Sequence, residues 1–297
     1  MSGDLPAGPP DDAWLPALAR RAGHPVRVVA RTALAGGYHG GVERVDLDGA
    51  PPVVVKRARP VEIAALRAVA VVRGVEYPTL LAAGADWVVT DFHDGVPLAE
   101  GPDVPDGVWT TLARVHAHWW RRRPRAVPVT DAAWWRHLCR ERIRPHLLAA
   151  AGRTDDPAYA RGAALLDSWA GHAGMHAALA GLPRTLTHGD PHRGNVLLTA
   201  AGPVLVDWGN ARVAPSGFDL AVLRGQGAVD LGPYRAEFAR LAGAPSPEQL
   251  AVEECCADAW AHVGYLGFAA DHLGVERVGE LLDGAARALG GLAALGG

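Results

Sequence analysis

The residues best suited to chemistry lie between residues 186 and 210, in the stretch LTHGDPHRGNVLLTAAGPVLVDWGN. Asp190 and Asn195 stand in the order D-x-x-x-x-N, and Asp207 follows a short apolar run. A carboxylate can accept the proton of an attacking hydroxyl, and carboxylate and carboxamide oxygens are suitable ligands for Mg²⁺. The pattern therefore predicts phosphoryl transfer, with Asp190 as the proton acceptor and with Asn195 and Asp207 as magnesium ligands.

Lys56 is the second candidate, because it is the only lysine among the 29 basic residues of the chain. It ends the apolar run PVVVK, which predicts a buried strand. An ammonium is a compact charge that fits between anions, whereas a guanidinium is a flat fork. The usual alternative is a strand-end lysine that reaches solvent, but such a position would tolerate arginine. Lys56 is therefore predicted to meet anions at an interior site.

The elements that must position these side chains fall into two groups. The segments VRVVA, GVERVDL and PVVVK predict strands, PVEIAALRAVAVV predicts a helix, LLAAGADWVVTDF predicts two more strands, and HDGVPL predicts a turn. Beyond residue 100, segments rich in Ala, Leu and Arg predict long helices, interrupted around residues 186–207. We expect an α+β protein with a flexible tail over residues 1–12, a small lobe over 13–93 and a larger, mainly helical lobe over 94–297. Ligands usually bind in a cleft between such lobes.

The composition argues against several other classes of protein. The formal net charge of −3 gives no general attraction for nucleic acid or for an anionic membrane. The N-terminal sequence lacks the regions of a signal peptide, and no apolar run approaches the roughly 20 residues that span a bilayer. Three cysteines, two of them adjacent, suit neither a disulfide framework nor a zinc site. We therefore expect a cytoplasmic protein without a nucleic-acid or membrane partner.

The motif H-G-D-x-H-x-x-N followed by D-W-G resembles the aminoglycoside phosphotransferase family of the protein-kinase-like superfamily. The resemblance implies a bilobal kinase-like fold and the use of ATP with Mg²⁺. It places Lys56 where the family holds the α- and β-phosphates, and Glu62 where a helix glutamate pairs with that lysine. It also implies that His188 supports the catalytic loop and that Asp219, in SGFDLA, braces the catalytic core.

Two further segments resemble nucleotide-binding parts of the family. WVVTDFHDG resembles the hinge, which implies that Asp91 and Phe92 lie near the adenine. LAGGYHGG lies where the phosphate-covering loop is expected and contributes Gly36, Gly37 and Gly40. This loop is not a G-x-G-x-x-G motif, and by itself it equally favours a hairpin turn.

The acceptor is indicated only by charge. Glu253, Glu254 and Asp258 lie close together in an acidic C-terminal region, which would suit a cationic acceptor such as an aminoglycoside antibiotic. An ordinary solvated helix face remains the alternative. The basic stretch from Arg121 to Arg144 would instead suit a kinase that acts on a peptide with an acidic leader. Two further hypotheses remain open. The protein could be a metabolite kinase for a sugar or amino alcohol, or a non-catalytic nucleotide-binding module.

Overall fold

The computed structural model describes residues 8–34, 41–101, 103–228 and 230–295. The small lobe is built on an antiparallel sheet whose strands lie in the order β1-β2-β3-β5-β4. The strands of this sheet are β1 (Arg27–Ala33), β2 (Val42–Asp48), β3 (Ala50–Arg57), β4 (Leu80–Ala83) and β5 (Trp87–Asp91). These are the five strands that the sequence predicts.

The two faces of this sheet are covered by different helices. Val53 and Val55 of β3 are buried in one cluster with Trp14 and with Leu18 of α1 (Leu15–Ala22). Successive side chains of a strand point to opposite faces, so Lys56 points away from this cluster. On its side lies α2 (Pro60–Val69), the helix predicted after the third strand. The apolar run thus buries one face of β3 and directs its last side chain toward α2.

Most of the predicted N-terminal tail lies outside the described residues. In its described part, Asp11 begins a 3-10 helix, Asp11–Ala13, and its carboxylate accepts a hydrogen bond from Arg31 of β1. Trp14, which follows at once, is fully buried. Asp11 and Asp12, the last two residues of the predicted tail, therefore lie in a helical turn.

The larger lobe is mainly helical. Its helices are α3 (Asp106–Trp119), α4 (Ala132–His137), α5 (Arg144–Thr154), α6 (Pro157–Trp169), α7 (Ala173–Gly181), α8 (Gly217–Gly225), α9 (Gly232–Ala242), α10 (Pro247–His272) and α11 (Val275–Leu295). A π-helical stretch, Leu138–Ile143, joins α4 to α5. Within the part of the chain that the structure describes, no helix combines the length and apolar character needed to cross a membrane.

Two small sheets carry the segment that interrupts these helices. One has the order β6-β8-β9 and the other pairs β10 with β7. Their strands are β6 (Gly95–Pro97), β7 (Thr185–Thr187), β8 (Val196–Thr199), β9 (Gly202–Leu205) and β10 (Arg212–Ala214). The prediction of a turn at HDGVPL is wrong in part, since β6 occupies its second half and pairs with β8. A three-residue strand shows no periodicity, and only its distant partner defines it.

One hydrophobic cluster joins the two lobes. It contains Leu66 and Val69 of α2 together with Trp109 and Leu112 of α3, and with Trp208 beyond β9. Helix α2 therefore belongs to the small lobe in sequence but packs on the large lobe. This arrangement places the turn Trp208–Asn210 beside the start of α2.

Candidate active site

Lys56 lies between two carboxylates, one from each lobe. Its Nζ is 2.6 Å from Glu62 Oε1 and 2.9 Å from Asp207 Oδ1. Glu62 is in the first turn of α2, and only two residues separate that helix from the end of β3. The short connection places Glu62 directly over the end of the strand. The structure therefore brings together three of the residues that the sequence predicts.

Burial and the charges of the neighbouring side chains together shift the pKa of each of these three residues. Burial raises the pKa of Glu62, and Lys56 opposes that effect. Burial also disfavours the ammonium of Lys56, but Glu62 and Asp207 outweigh it and raise the lysine pKa. Burial tends to raise the pKa of Asp207 as well, but the positive charge of Lys56 outweighs this effect and lowers the carboxyl pKa. The charge state of each of the three groups therefore depends on the other two.

Asp207 has an unusual backbone conformation that directs its side chain toward Lys56. Its φ is 62°, in the left-handed region that residues other than glycine rarely adopt. The turn that follows, Trp208–Asn210, is anchored because the Trp208 indole is buried and donates to Leu205 O at 2.8 Å. The Asp207 side chain is still 56% exposed. A carboxylate oxygen thus remains accessible for a ligand.

Asp190 lies in the loop between β7 and β8 and is held by two amides. Asn210 Nδ2 donates to Asp190 Oδ2 at 3.2 Å. Asn195 Nδ2 donates to the backbone carbonyl of Asp190 at 3.0 Å. The first contact orients the carboxylate. The second fixes the loop, and it directs Asn195 Oδ1 away from the Asp190 carbonyl. Asp190 Oδ1 is then the oxygen best placed to accept a proton.

Asp219, at the start of α8, fixes the backbone that precedes Asp190. Its fully buried carboxylate accepts from His188 N at 2.7 Å and from Gly189 N at 2.8 Å, and it lies 3.1 Å from His116 Nε2. Gly189 has a φ of 82°, and a Cβ there would lie 2.1 Å from the carbonyl oxygen of Asn210. Only glycine fits this close approach. The loop therefore keeps one shape.

His188 supports the same loop as a neutral side chain. Its Nδ1 accepts from Asp190 N at 3.3 Å, so its proton is on Nε2, which donates to Val206 O at 2.8 Å. Burial lowers the pKa of His188. His192 has a local role as well, since its Nδ1 accepts from Gly194 N at 3.1 Å. His188 thus ties the loop to the residue after β9, and His192 acts within the loop.

The oxygen donors beside Asp190 fit magnesium better than a transition metal. In the described part of the chain no three His, Cys, Asp or Glu side chains are grouped to hold a metal ion. Asn195 offers a carboxamide oxygen, and Asp207 offers carboxylate oxygens. Mg²⁺ is usually held by one or two carboxylates together with phosphates and water. These two residues therefore suit a magnesium ion that arrives with a nucleotide.

The predicted hinge residues have structural contacts of their own. Asp91 Oδ1 accepts from Thr79 N at 2.7 Å, and this contact ties the end of β5 to the residue before β4. Phe92 N donates to Pro52 O at 3.2 Å, and its ring lies 4.5 Å from the guanidinium of Arg44. The Phe92 N–H and the Asp91 carboxylate are thus engaged within the sheet. Gly36, Gly37 and Gly40 lie outside the described residues.

The predicted acidic cluster requires correction. Glu253, on α10, is 6% exposed, and its Oε1 accepts from Ser216 Oγ and from Gly217 N, both at 2.6 Å. It braces the start of α8 and is not available to a substrate. The sequence did not show this, because the partners are about 36 residues away. Glu254 and Asp258 face elsewhere and bind Arg224 at 3.4 Å and 3.0 Å.

Three residues near Asp190 were not singled out from the sequence. Asn210 follows Asp207 in D-W-G-N, a position that could have suggested a polar role. Arg59, just before α2, donates to Gly209 O and to Asn210 Oδ1, the latter at 2.8 Å. Arg193 is buried within the predicted motif and donates to backbone carbonyls of the connector between the lobes. Its burial follows from tertiary packing, which the motif does not show.

Comparison with known proteins identifies a family for this chain. The model of the phosphotransferase enzyme family, abbreviated APH, matches residues 30–254. No curated protein matches the chain.

Solved structures of three kinds of kinase are similar to the chain. A fructosamine-3-kinase homologue from Thermobifida fusca is 19% identical, with 93% of this chain and 98% of that chain covered and a TM-score of 0.58. A macrolide 2′-phosphotransferase from Brachybacterium faecium is 18% identical over 93% and 98% of the two chains, with a TM-score of 0.52. A choline kinase from Cryptosporidium parvum is 11% identical over 91% of each chain, with a TM-score of 0.62. All share the bilobal, protein-kinase-like fold, and the chain belongs to the phosphotransferase enzyme family.

Proposed function

We propose that the protein is an ATP- and Mg²⁺-dependent O-phosphotransferase that transfers the γ-phosphoryl group to a hydroxyl of a small molecule. The observation that carries this proposal is the convergence of Lys56, Glu62 and Asp207 across the lobes, beside Asp190 with its free carboxylate oxygen. Residues 13–93 would form the nucleotide-binding lobe and residues 94–297 the catalytic lobe. The named side chains would then supply the proton acceptor, the phosphate-binding charge and the metal ligands of a kinase.

Each residue has a role that follows from its contacts. Asp190 Oδ1 orients the acceptor hydroxyl and takes its proton as the O–P bond forms. Lys56, held by Glu62, places a compact positive charge against the nucleotide phosphates. Asn195 and Asp207 would hold Mg²⁺, which when bound neutralises charge on the transferred phosphoryl group. Positioning and charge stabilisation account for most of the catalysis in this type of reaction.

The contacts change which acceptors are favoured. A cationic antibiotic was the sequence-based expectation, but Glu253 is a structural brace, and Glu254 and Asp258 are already paired with Arg224. An antibiotic of another type remains a candidate, because a macrolide phosphotransferase shares the fold. A metabolite remains a second candidate, because fructosamine and choline kinases share it as well.

A peptide acceptor is less well supported. The proposed docking surface was the basic stretch from Arg121 to Arg144, yet Arg144 Nε is bound to Asp167 Oδ2 at 2.9 Å. Arg122, in the same stretch, donates to the carbonyl of His118. The stretch therefore offers fewer unpaired charges than its composition suggests.

The test is a mass-spectrometric search for phosphorylated product. The protein with Mg-ATP is incubated with macrolides, aminoglycosides, sugars, amino alcohols, hydroxy acids and candidate peptides. We expect one class of small molecule to gain the mass of a phosphate, with no gain when Asp190→Asn replaces the wild-type protein. Nucleotide binding without transfer to any class, at equal rates of ATP hydrolysis in both proteins, would contradict the proposal.

A further inference from the structure

Three arginines from three different parts of the chain act on one another electrostatically near the loop that carries Asp190, and we call them the arginine cluster: Arg59, Arg142 and Arg212. Arg212 is in β10, where it pairs with Thr187, the last residue of β7 before the catalytic loop. Its guanidinium lies 4.7 Å from the centre of the Trp134 ring on α4. Arg142 is in the π-helical stretch that continues α4. Arg142 and Arg212 thus belong to the large lobe and Arg59 to the small lobe, and Arg212 lies beside the strand that leads into the loop of Asp190.

The cluster is connected to Asp190 through one side chain. Arg59 Nη2 donates to Asn210 Oδ1 at 2.8 Å, and Asn210 Nδ2 donates to Asp190 Oδ2 at 3.2 Å. Arg212 follows Asn210 by two residues. Arg59 and Arg212 therefore both lie near Asn210, the side chain that holds the Asp190 carboxylate.

The members of the cluster lack acidic partners. Within the described ranges, no Asp or Glu forms an ion pair with them, although many arginines elsewhere do: Arg31, Arg44, Arg57, Arg114, Arg144 and Arg224. The charge of Arg59 acts on Glu62, but the ion pair of Glu62 is with Lys56. Burial, with the charges of Arg142 and Arg59, lowers the pKa of Arg212 to about 10, so it remains protonated at neutral pH.

Such an arrangement is unfavourable until an anion is bound. Like charges repel, and the cost is larger for a half-buried group than for one in open solvent. A guanidinium binds carboxylate or phosphate oxygens through two parallel hydrogen bonds, and the Trp134 ring already holds one guanidinium plane in place. An anionic group between Arg142 and Arg212 would remove the repulsion and satisfy donors that have no carboxylate partner.

We propose that the acceptor is a small molecule carrying an anionic group, a carboxylate or a phosphate ester, which Arg212 and Arg142 bind while its hydroxyl lies against Asp190. This inference rests on the proposed function and specifies its substrate class. It is the opposite of the cationic acceptor expected from the sequence. Arg59 contributes charge and, through Asn210, links the anion subsite to the catalytic carboxylate.

The test measures anion binding with the nucleotide site already filled. The whole protein is saturated with Mg²⁺ and a non-hydrolysable ATP analogue, so that Lys56 is occupied, and is then titrated by calorimetry with acetate or methyl phosphate. We expect at least one probe to bind, with the affinity about tenfold lower in Arg212→Gln, the usual effect of losing charge-assisted hydrogen bonds. The preferred probe tells whether the acceptor group is a carboxylate or a phosphate ester.

Two further variants serve as controls for Arg212→Gln. Arg140→Gln removes an exposed arginine from the same π-helical stretch and should bind the probes within about twofold of wild type. Arg212→Lys retains the charge and should keep part of the affinity, with melting temperature and analogue binding as checks of folding. Equal probe affinity in wild type and Arg212→Gln, or no binding to wild type at about 0.1 M, would overturn the inference.

Failure of the proposed function gives a different result. If the ATP analogue itself does not bind, the phosphotransferase proposal fails, and the acceptor inference fails with it. If the analogue binds and the probes behave alike in wild type and variants, only the acceptor inference fails.

Discussion

Asp190, the proposed proton acceptor, shows how neighbouring groups orient one carboxylate. Asn210 holds Oδ2, Asn195 holds its backbone carbonyl, and Asp219 holds the two preceding amides. These bonds leave Oδ1 as the oxygen that can meet a hydroxyl. The order of the loop is therefore maintained by neighbours that do not themselves react.

Asp190→Asn should separate catalysis from folding. The amide preserves shape but cannot take a proton, so turnover of an identified acceptor should fall about 10²–10⁴-fold. Melting temperature and the affinity for an ATP analogue should stay close to wild type. Steady-state kinetics with that acceptor makes the measurement, and near-wild-type turnover would remove Asp190 from the mechanism.

At the scale of elements, α10 supports α8 through one buried acid. Glu253 receives hydrogen bonds from Ser216 and Gly217 at the N-terminus of α8, the helix that carries Asp219. A negative charge is favourable at the N-terminus of a helix, where amide groups lack partners within the helix. The order of the catalytic loop thus depends on a residue of a C-terminal helix.

Glu253→Gln should therefore lower stability without changing the acceptor affinity. Loss of two charge-assisted hydrogen bonds to a buried group should lower the free energy of unfolding by about 1–3 kcal/mol. Its neighbour offers a control: Glu254 is exposed, and Glu254→Gln should change stability by about 0.5 kcal/mol or less. Urea unfolding and the acceptor KM are the measurements. A raised KM at unchanged stability would return Glu253 to the acceptor site.

Helices α3 and α9 are joined by an ion pair whose contribution should depend on pH. Hydrogen bonds from Arg240 and Arg114 lower the pKa of Glu237 from 4.5 to about 2. A folded-state pKa below the unfolded value means that the stabilisation is present above about pH 4.5 and is lost as the pH falls toward 2.

Glu237→Gln should show this dependence directly. At pH 7 the variant should be less stable than wild type by about 1 kcal/mol, a value reduced by solvent screening. The difference should shrink as the pH is lowered from 4.5 toward 2, as measured by urea unfolding at several pH values. The same difference at pH 7 and pH 3 would show that another effect of the substitution dominates.

For the whole molecule, the site exists only where the two lobes meet. Lys56 and Glu62 come from the small lobe and Asp207 from the large one, while the shared hydrophobic cluster fixes α2 against Trp208. A nucleotide bound to this group would contact both lobes. Its binding should therefore stabilise the folded chain as a unit.

A saturating Mg-ATP analogue should raise the stability of wild type by about 2.7 kcal/mol at a hundred times its Kd. Lys56→Arg keeps the charge but cannot fit between Glu62 and Asp207 in the same way, so its thermal shift should be much smaller. Arg57→Lys, a change at an exposed neighbour, should respond as wild type does. Differential scanning calorimetry measures all three, and an undiminished shift in Lys56→Arg would contradict a phosphate-facing position for Lys56.

The sequence alone determined the features that depend on local pattern. Alternating and continuous apolar runs predicted the five strands of the small lobe, and Pro60 with an acidic first turn predicted the start of α2. The spacing of Asp190, Asn195 and Asp207 indicated phosphoryl transfer, because the chemistry requires those residue types on neighbouring loops. The family match is consistent with that interpretation.

Only the tertiary structure decided what the remaining charges do. Glu253, Glu254 and Asp258 are neighbours in sequence, but one is buried under α8 and the others pair with Arg224. Arg59 and Arg212 are far apart in sequence. Arg212 follows Asn210 by two residues, and the fold brings Arg59 to the same place through its hydrogen bond to Asn210. The effect of a charge depends on distance, burial and partners, and these are properties of the folded chain that residue order does not contain.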